Sequence, residues 1–135
     1  MSETLKLSVP CDARYVSTVR LAVSSVASLA GFDIEAIEDI KIAVSEACTN
    51  IILHGGLGES AYNVICALED GGLELVVEDD GVGFAYEEYE KPNLEEPSEG
   101  GLGLYIILAL MDDVKVSSQA GAGTSIRMKK FRPAG

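Results

Sequence analysis

The sequence predicts an α+β protein: a two-layer sandwich in which a mixed, mostly antiparallel sheet carries helices on one face. Three observations predict it. Two long stretches, residues 13–30 and 34–54, repeat apolar side chains every three or four positions, the period of a helix buried along one side. Two pairs of shorter alternating stretches are joined by glycine turns, the pattern of hairpins. The order of elements, βααββαββ, brings strands in pairs, which a parallel sheet built of alternating β and α units does not.

Each element has its own reason. Thr4 to Val9 alternates, with Leu5, Leu7 and Val9 on one side, so it reads as a half-buried strand ended by Pro10. Asp12 is placed to cap a helix running to about Ala30, with Val16, Val19, Val23, Val26 and Ala30 as its buried stripe. Gly31 stops that helix and Asp33 caps the next, Ile34 to His54, whose buried stripe is Ile37, Ile40, Val44, Ala47 and Ile51. After a loop containing Gly55, Gly56 and Gly58, two strands, Ala61 to Glu69 and Leu73 to Asp79, flank Asp70-Gly71-Gly72. The stretch from Asp80 to Gly100 lacks periodicity and reads as a functional lid, being too long for a simple turn. A helix follows from Gly101 to Met111, then a strand from Val114 to Ser118. The turn Gly121-Ala122-Gly123 leads into a last strand, Thr124 to Phe131, with Ile126 and Met128 inward. Residues 132–135 are expected to form a flexible tail.

The chain of 135 residues reads as a single domain, residues 1–135, large enough to bury its own core. Its 22 acidic against 10 Lys and Arg residues give a net charge of −12, which repels nucleic acid and anionic membrane surfaces. Nine of those acids and one base, Lys91, lie between Glu78 and Glu99, so that window alone carries −8. Cys11, Cys48 and Cys66 are odd in number and lack metal-ligand spacing, which suits buried, reduced thiols. The longest apolar run, Leu102 to Met111, is too short for a bilayer span, and the N-terminus has no apolar signal core. A soluble, cytoplasmic protein is expected.

Chemistry concentrates at three places. On the second long helix Glu46, Asn50 and His54 follow at i, i+4 and i+8, each step turning only about 40°, so the three side chains share a direction. A carboxylate beside a carboxamide can serve as a base and a metal ligand at a pocket edge. Val77-Glu78-Asp79-Asp80-Gly81-Val82-Gly83 sets a carboxylate at a strand end before two alternating glycines, which let backbone approach a flat ligand. Asp79 can accept a hydrogen bond from an exocyclic amine such as that of adenine. Gly100-Gly101-Leu102-Gly103-Leu104 opens a helix, where uncovered backbone amides suit phosphate. Three glycines in a first turn each cost about 1 kcal/mol relative to alanine, more than close packing alone asks for.

This ordered set resembles the GHKL (Bergerat-fold) superfamily of ATPases and kinases, which includes histidine-kinase catalytic domains and the ATP-binding domains of gyrase. Within it, Glu-Ala-Cys-Thr-Asn at 46–50 with His54, and Gly-Gly-Leu-Gly-Leu-Tyr at 100–105, look most like the bacterial anti-sigma-factor serine/threonine kinases. The resemblance implies ATP and Mg²⁺ as cofactors. Asn50 looks like the Mg²⁺ ligand, and Glu46 like the catalytic base. Asp79 looks like the adenine acceptor, with Gly81 and Gly83 beneath the base. Gly101 and Gly103, with the amides of Leu102 and Leu104, look like the phosphate cradle, and Thr124 like the residue closing the adenine side. One departure stands out. Related proteins often carry a basic residue just before the second glycine box, where this chain has Ser98 and Glu99, and its lid offers only Lys91.

The resemblance implies an ATP-dependent protein serine/threonine kinase that phosphorylates a STAS-type anti-sigma-factor antagonist, can sequester a sigma factor, and forms a homodimer. The alternative is a nucleotide-gated partner-binding module with little or no phosphotransfer, favoured by the missing cation. Arg14 and Arg20, off the buried stripe of the first helix, are a candidate partner surface.

Overall fold

A computed structural model describes residues 3–55, 61–79, 99–119 and 123–133. The expected lid, with Gly81, Gly83, Lys91 and Ser98, lies outside the described residues, as do Gly56, Gly58 and the turn residues 121–122. Five strands form one sheet: β1 (Glu3–Pro10), β2 (Ala61–Glu69), β3 (Gly72–Glu78), β4 (Asp113–Gln119) and β5 (Gly123–Phe131). Three helices accompany it: α1 (Val16–Leu29), α2 (Ile34–Asn50) and α3 (Glu99–Leu110). The spatial order is β1-β2-β3-β5-β4 and, among the described residues, every pairing is antiparallel, in keeping with the mostly antiparallel sheet expected.

Register explains where the core sits. Leu7 lies opposite Val64, Val64 opposite Val77, and Val77 opposite Ile126, so one face of the sheet is a continuous apolar surface. Val64, Val77 and Met128 on that face are fully buried, as are Val23 of α1, Ile40 and Val44 of α2 and Ile107 of α3. These belong to a single cluster, so the helices cover this face. The helices pack side by side with α2 in the middle, touching both α1 and α3. On the opposite face one transverse row reads Lys6, Ile65, Val76, Arg127 and Lys115. Beside it Glu74 faces Arg127 at 3.9 Å and Lys129 at 3.7 Å.

The termini of the elements follow their capping residues. Asp12 accepts a hydrogen bond from the Arg14 amide at 2.9 Å, but the turn it caps is a 3₁₀ turn, Ala13–Tyr15, from which α1 continues. Asp33 caps α2 by accepting from the Ala36 amide at 2.9 Å. The hairpin between β2 and β3 turns through Asp70-Gly71, with Gly71 at φ +82°, a conformation other L residues rarely adopt. Past β5, the Arg132 amide donates to the Gly71 carbonyl at 2.7 Å.

The expected helix from Ile34 to His54 is α-helical only to Asn50. Ile51–Gly55 widens into a π turn, although the Ile51 amide itself still donates to the carbonyls of Ala47 and Cys48. Glu46 and Asn50 therefore keep the i, i+4 relation read from the sequence, whereas His54 falls beyond the change.

Removing the α2 cap by Asp33→Ala is expected to cost about 1 kcal/mol, read as a fall of a few degrees in melting temperature. Burial pushes the thiols of Cys48 and Cys66 up to about 11, and burial beside Cys48 and Cys11 raises the Tyr62 phenol as well. Between pH 9 and 11 these thiols stay protonated in the folded chain and ionise in the unfolded one, so stability falls as pH rises through that window. Thermal melts across it should show this fall, and Cys48→Ala with Cys66→Ala should flatten it.

Candidate active site

The site is built where the C-terminal end of α2 meets the N-terminal end of α3. Asn50 is the last α-helical residue before the π turn and is 3% exposed, so it is a buried amide rather than the solvated residue its polarity suggests. Its Nδ2 donates to the backbone carbonyl of Glu46 at 2.9 Å, which fixes the orientation of the carboxamide against its own helix. Glu46 is half-buried one turn earlier.

Gly103 closes the contact from α3. A Cβ built at residue 103 would lie 2.8 Å from Oε2 of Glu46 and 3.2 Å from Nδ2 of Asn50. The absence of a side chain there lets α3 approach both groups, which accounts physically for one glycine of the second box. Gly101, Leu102 and Leu104 fall in the same opening turns of α3; Leu104 is buried and Leu102 is 44% exposed. The dipoles are complementary. The C-terminal end of α2 favours positive charge and the N-terminal end of α3 favours negative charge, so a metal–phosphate pair suits this junction.

A second pair lies at the ends of two neighbouring strands. The parity that turns Leu73, Leu75 and Val77 toward the helices carries Asp79 to the same side, and that of Ile126 and Met128 does so for Thr124. The Asp79 amide donates to the Thr124 carbonyl at 3.0 Å, and the two residues are 4% and 2% exposed. The π turn that follows Asn50 packs against β5, which connects the helix-borne pair to the strand-borne one.

The structure thus brings Glu46, Asn50 and Gly103 together, and Asp79 with Thr124. Gly81 and Gly83 lie outside the described residues, and the side chain of His54 does too. A feature the sequence reading missed is a groove between α1 and α2, lined by Arg20, Glu38, Lys41, Ile42, Ser45 and Glu46. The spacing of Glu38, Lys41, Ile42, Ser45 and Glu46 by threes and fours was the available signal, since it sets all five on one stripe.

Comparison with known proteins adds relatives to this geometry. The profile of the family described as "Histidine kinase-like ATPase domain" matches residues 9–130. The chain is 37% identical over 146 residues to the serine-protein kinase RsbW of Bacillus pumilus, covering 97% of this chain and 89% of that protein. It is 39% identical over 141 residues to the same-named protein of Bacillus thuringiensis, covering 96% and 85%. Among solved structures, the RsbU and RsbW domains of a Mycobacterium tuberculosis protein superpose with a TM-score of 0.73 at 23% identity. That match covers 98% of this chain and 34% of the other. The SiaB–SiaC complex of Pseudomonas aeruginosa gives 0.68 at 17% identity, covering 93% and 88%. At these identities the two structures speak for the fold, while the profile match and the Bacillus relatives extend over nearly the whole sequence. The chain belongs to the histidine kinase-like ATPase domain family.

Proposed function

We propose that this protein is an ATP- and Mg²⁺-dependent protein serine/threonine kinase acting on a STAS-type anti-sigma-factor antagonist. The observation that carries the site is the approach of Gly103 to Glu46 and Asn50: a carboxylate, a carboxamide and a helix N-terminus meet with no side chain between them. The serine-protein kinase names of the Bacillus relatives support phosphotransfer over a module that only binds nucleotide.

The residues present fit the cofactors. Among the described residues no group of three or more His, Cys, Asp or Glu is placed to hold a metal, so Mg²⁺ would rest on the Asn50 carboxamide oxygen and on phosphate oxygens. When bound, it neutralises charge on the phosphates. The Asn50 carboxamide is oriented by the bond from its nitrogen to the Glu46 carbonyl. Asp79 would supply a buried carboxylate for the adenine amino group, with Thr124 beside it; the resemblance assigns Gly81 and Gly83, outside the described residues, to the face of the ring. By the resemblance Gly101, Leu102, Gly103 and Leu104 would line the phosphates, with Gly101 and Leu102 in the first turn of α3, where helix amides lack intrahelical partners. Glu46 takes the proton of the accepting serine as its Oγ bonds to phosphorus and the β–γ bridge of ATP breaks, leaving ADP.

The same resemblance supports a sigma factor as a second partner, a homodimer as the assembly, residues 1–135 as one domain, and the cytoplasm as the location. Among the described residues no helix is long and apolar enough to cross a membrane.

Transfer of label from [γ-³²P]ATP to a purified antagonist tests the assignment. Glu46→Gln is expected to lower kcat by about 10²- to 10⁴-fold while ATP binding, followed by calorimetry, stays within a few-fold. Full transfer by that variant, or none by the wild type, overturns the assignment. Gly103→Ala forces the Glu46 carboxylate and Asn50 amide to move, and is expected to lower phosphotransfer by about 10²-fold with only a small change in melting temperature.

A further inference from the structure

The groove between α1 and α2 has a volume of about 380 Å³ and ends on Glu46. Its floor is a single stripe of α2, on which Ile42 is 45% exposed. Arg20 is the only basic residue of α1 and Lys41 the only basic residue of α2, yet both line it. In a chain of net charge −12, the two cations offset Glu38 and Glu46, so the lining of this groove is neutral where the chain as a whole is acidic.

Lys41 does not stand open. Its Nζ lies 3.1 Å from Oε1 of Glu38, one turn earlier on the same helix, and the side chains are 29% and 57% exposed. Such a solvated pair contributes about 0–1 kcal/mol, so a carboxylate arriving from outside can exchange with Glu38 at little cost. The Ser45 hydroxyl meanwhile donates to the Lys41 carbonyl at 2.7 Å, which leaves it committed to the helix. The polar groups of the stripe that a partner can engage are therefore Lys41, by exchange with Glu38, and Glu46.

We infer that this groove receives the segment of the acceptor protein around its phosphorylated serine, and that Lys41 selects that segment by exchanging Glu38 for an acidic residue of the acceptor. The inference rests on the kinase reading above. Continuity supports the occupant, because Glu46 belongs to both the groove and the α2–α3 junction. Charge supports it as well, because Arg20 and Lys41 hold this lining at neutrality, so an acidic segment meets less repulsion here than a chain of charge −12 otherwise offers. Lys41 and Glu46 are five positions apart on α2, about 7.5 Å of rise and about 140° around the axis, so they stand at opposite edges of the stripe. The selecting carboxylate therefore lies across the groove from the accepting serine. Lys41 acts on binding and alignment, not on the reacting atoms.

The test uses the full chain, Mg²⁺-ATP and the purified antagonist, reading steady-state phosphotransfer together with antagonist affinity for the ADP-bound protein. Lys41→Glu is expected to raise both the acceptor KM and the antagonist Kd by about tenfold, the effect falling on KM rather than kcat. Glu38→Gln, which releases Lys41, is expected to lower both by about threefold, a gain that loss of a structural ion pair does not produce. A reversed acceptor, with Lys in place of the acidic residue near its serine, should restore binding to Lys41→Glu. Phosphotransfer with acceptor KM and Kd unmoved by either variant overturns the groove and leaves the kinase reading intact. Antagonist binding that follows Lys41 and Glu38 without any transfer of label upholds the groove and overturns the kinase reading.

Discussion

The constraint on which the site depends is steric: where α2 meets α3, a methyl group at residue 103 fits only if the Glu46 and Asn50 side chains shift. At Gly103 the missing Cβ leaves the Glu46 carboxylate and the Asn50 amide in direct reach of the α3 backbone. Every electrostatic feature of the junction follows from that closeness. Partial charges at helix ends fall away within a turn, so a C-terminus and an N-terminus can act on one ligand only if nothing holds them apart. Packing here is thus a condition for the chemistry.

The sheet sets where the partners of that junction stand. Antiparallel pairing of β3 with β5 fixes Asp79 beside Thr124 through the same register that buries Val77 against Ile126. The apolar contacts stabilise the fold, and the polar pair at the strand ends takes its position from them. The two ends of α2 divide the work differently: Asp33 secures the N-terminal end, while the C-terminal end gives up α-helical geometry at Ile51 and carries Asn50 at the break.

Much of this was legible in the sequence because it follows from parity and period. Alternation in Leu5, Leu7 and Val9, and in Ile126 and Met128, is dictated by which face meets the helices, and spacing by three and four in α1 and α2 is dictated by the sheet beneath them. Asp33 was readable as a cap because its short acceptor can reach the first-turn amides. The π turn was not legible, since Ile51-Ile52-Leu53 reads equally well as α-helix and only packing against β5 distinguishes the two. The burial of Asn50 and Asp79 was not visible in their polarity; it depends on contacts between elements far apart in sequence. The Arg20–Lys41 groove needs α1 set beside α2, which no single stretch of sequence contains.

The place of β3 in the strand order has a consequence for how the protein handles its ligand. Flanked by β2 and β5, it is an interior strand, and Asp79 at its end inherits that confinement. Asn50 instead terminates a helix where the pitch changes. One wall of the pocket is anchored and the other is hung on a joint. On the proposed function, recognition of the base at Asp79 and grip on the phosphates at Asn50 would be mechanically separate, so that selection could retune how long a nucleotide is held without altering which nucleotide is accepted.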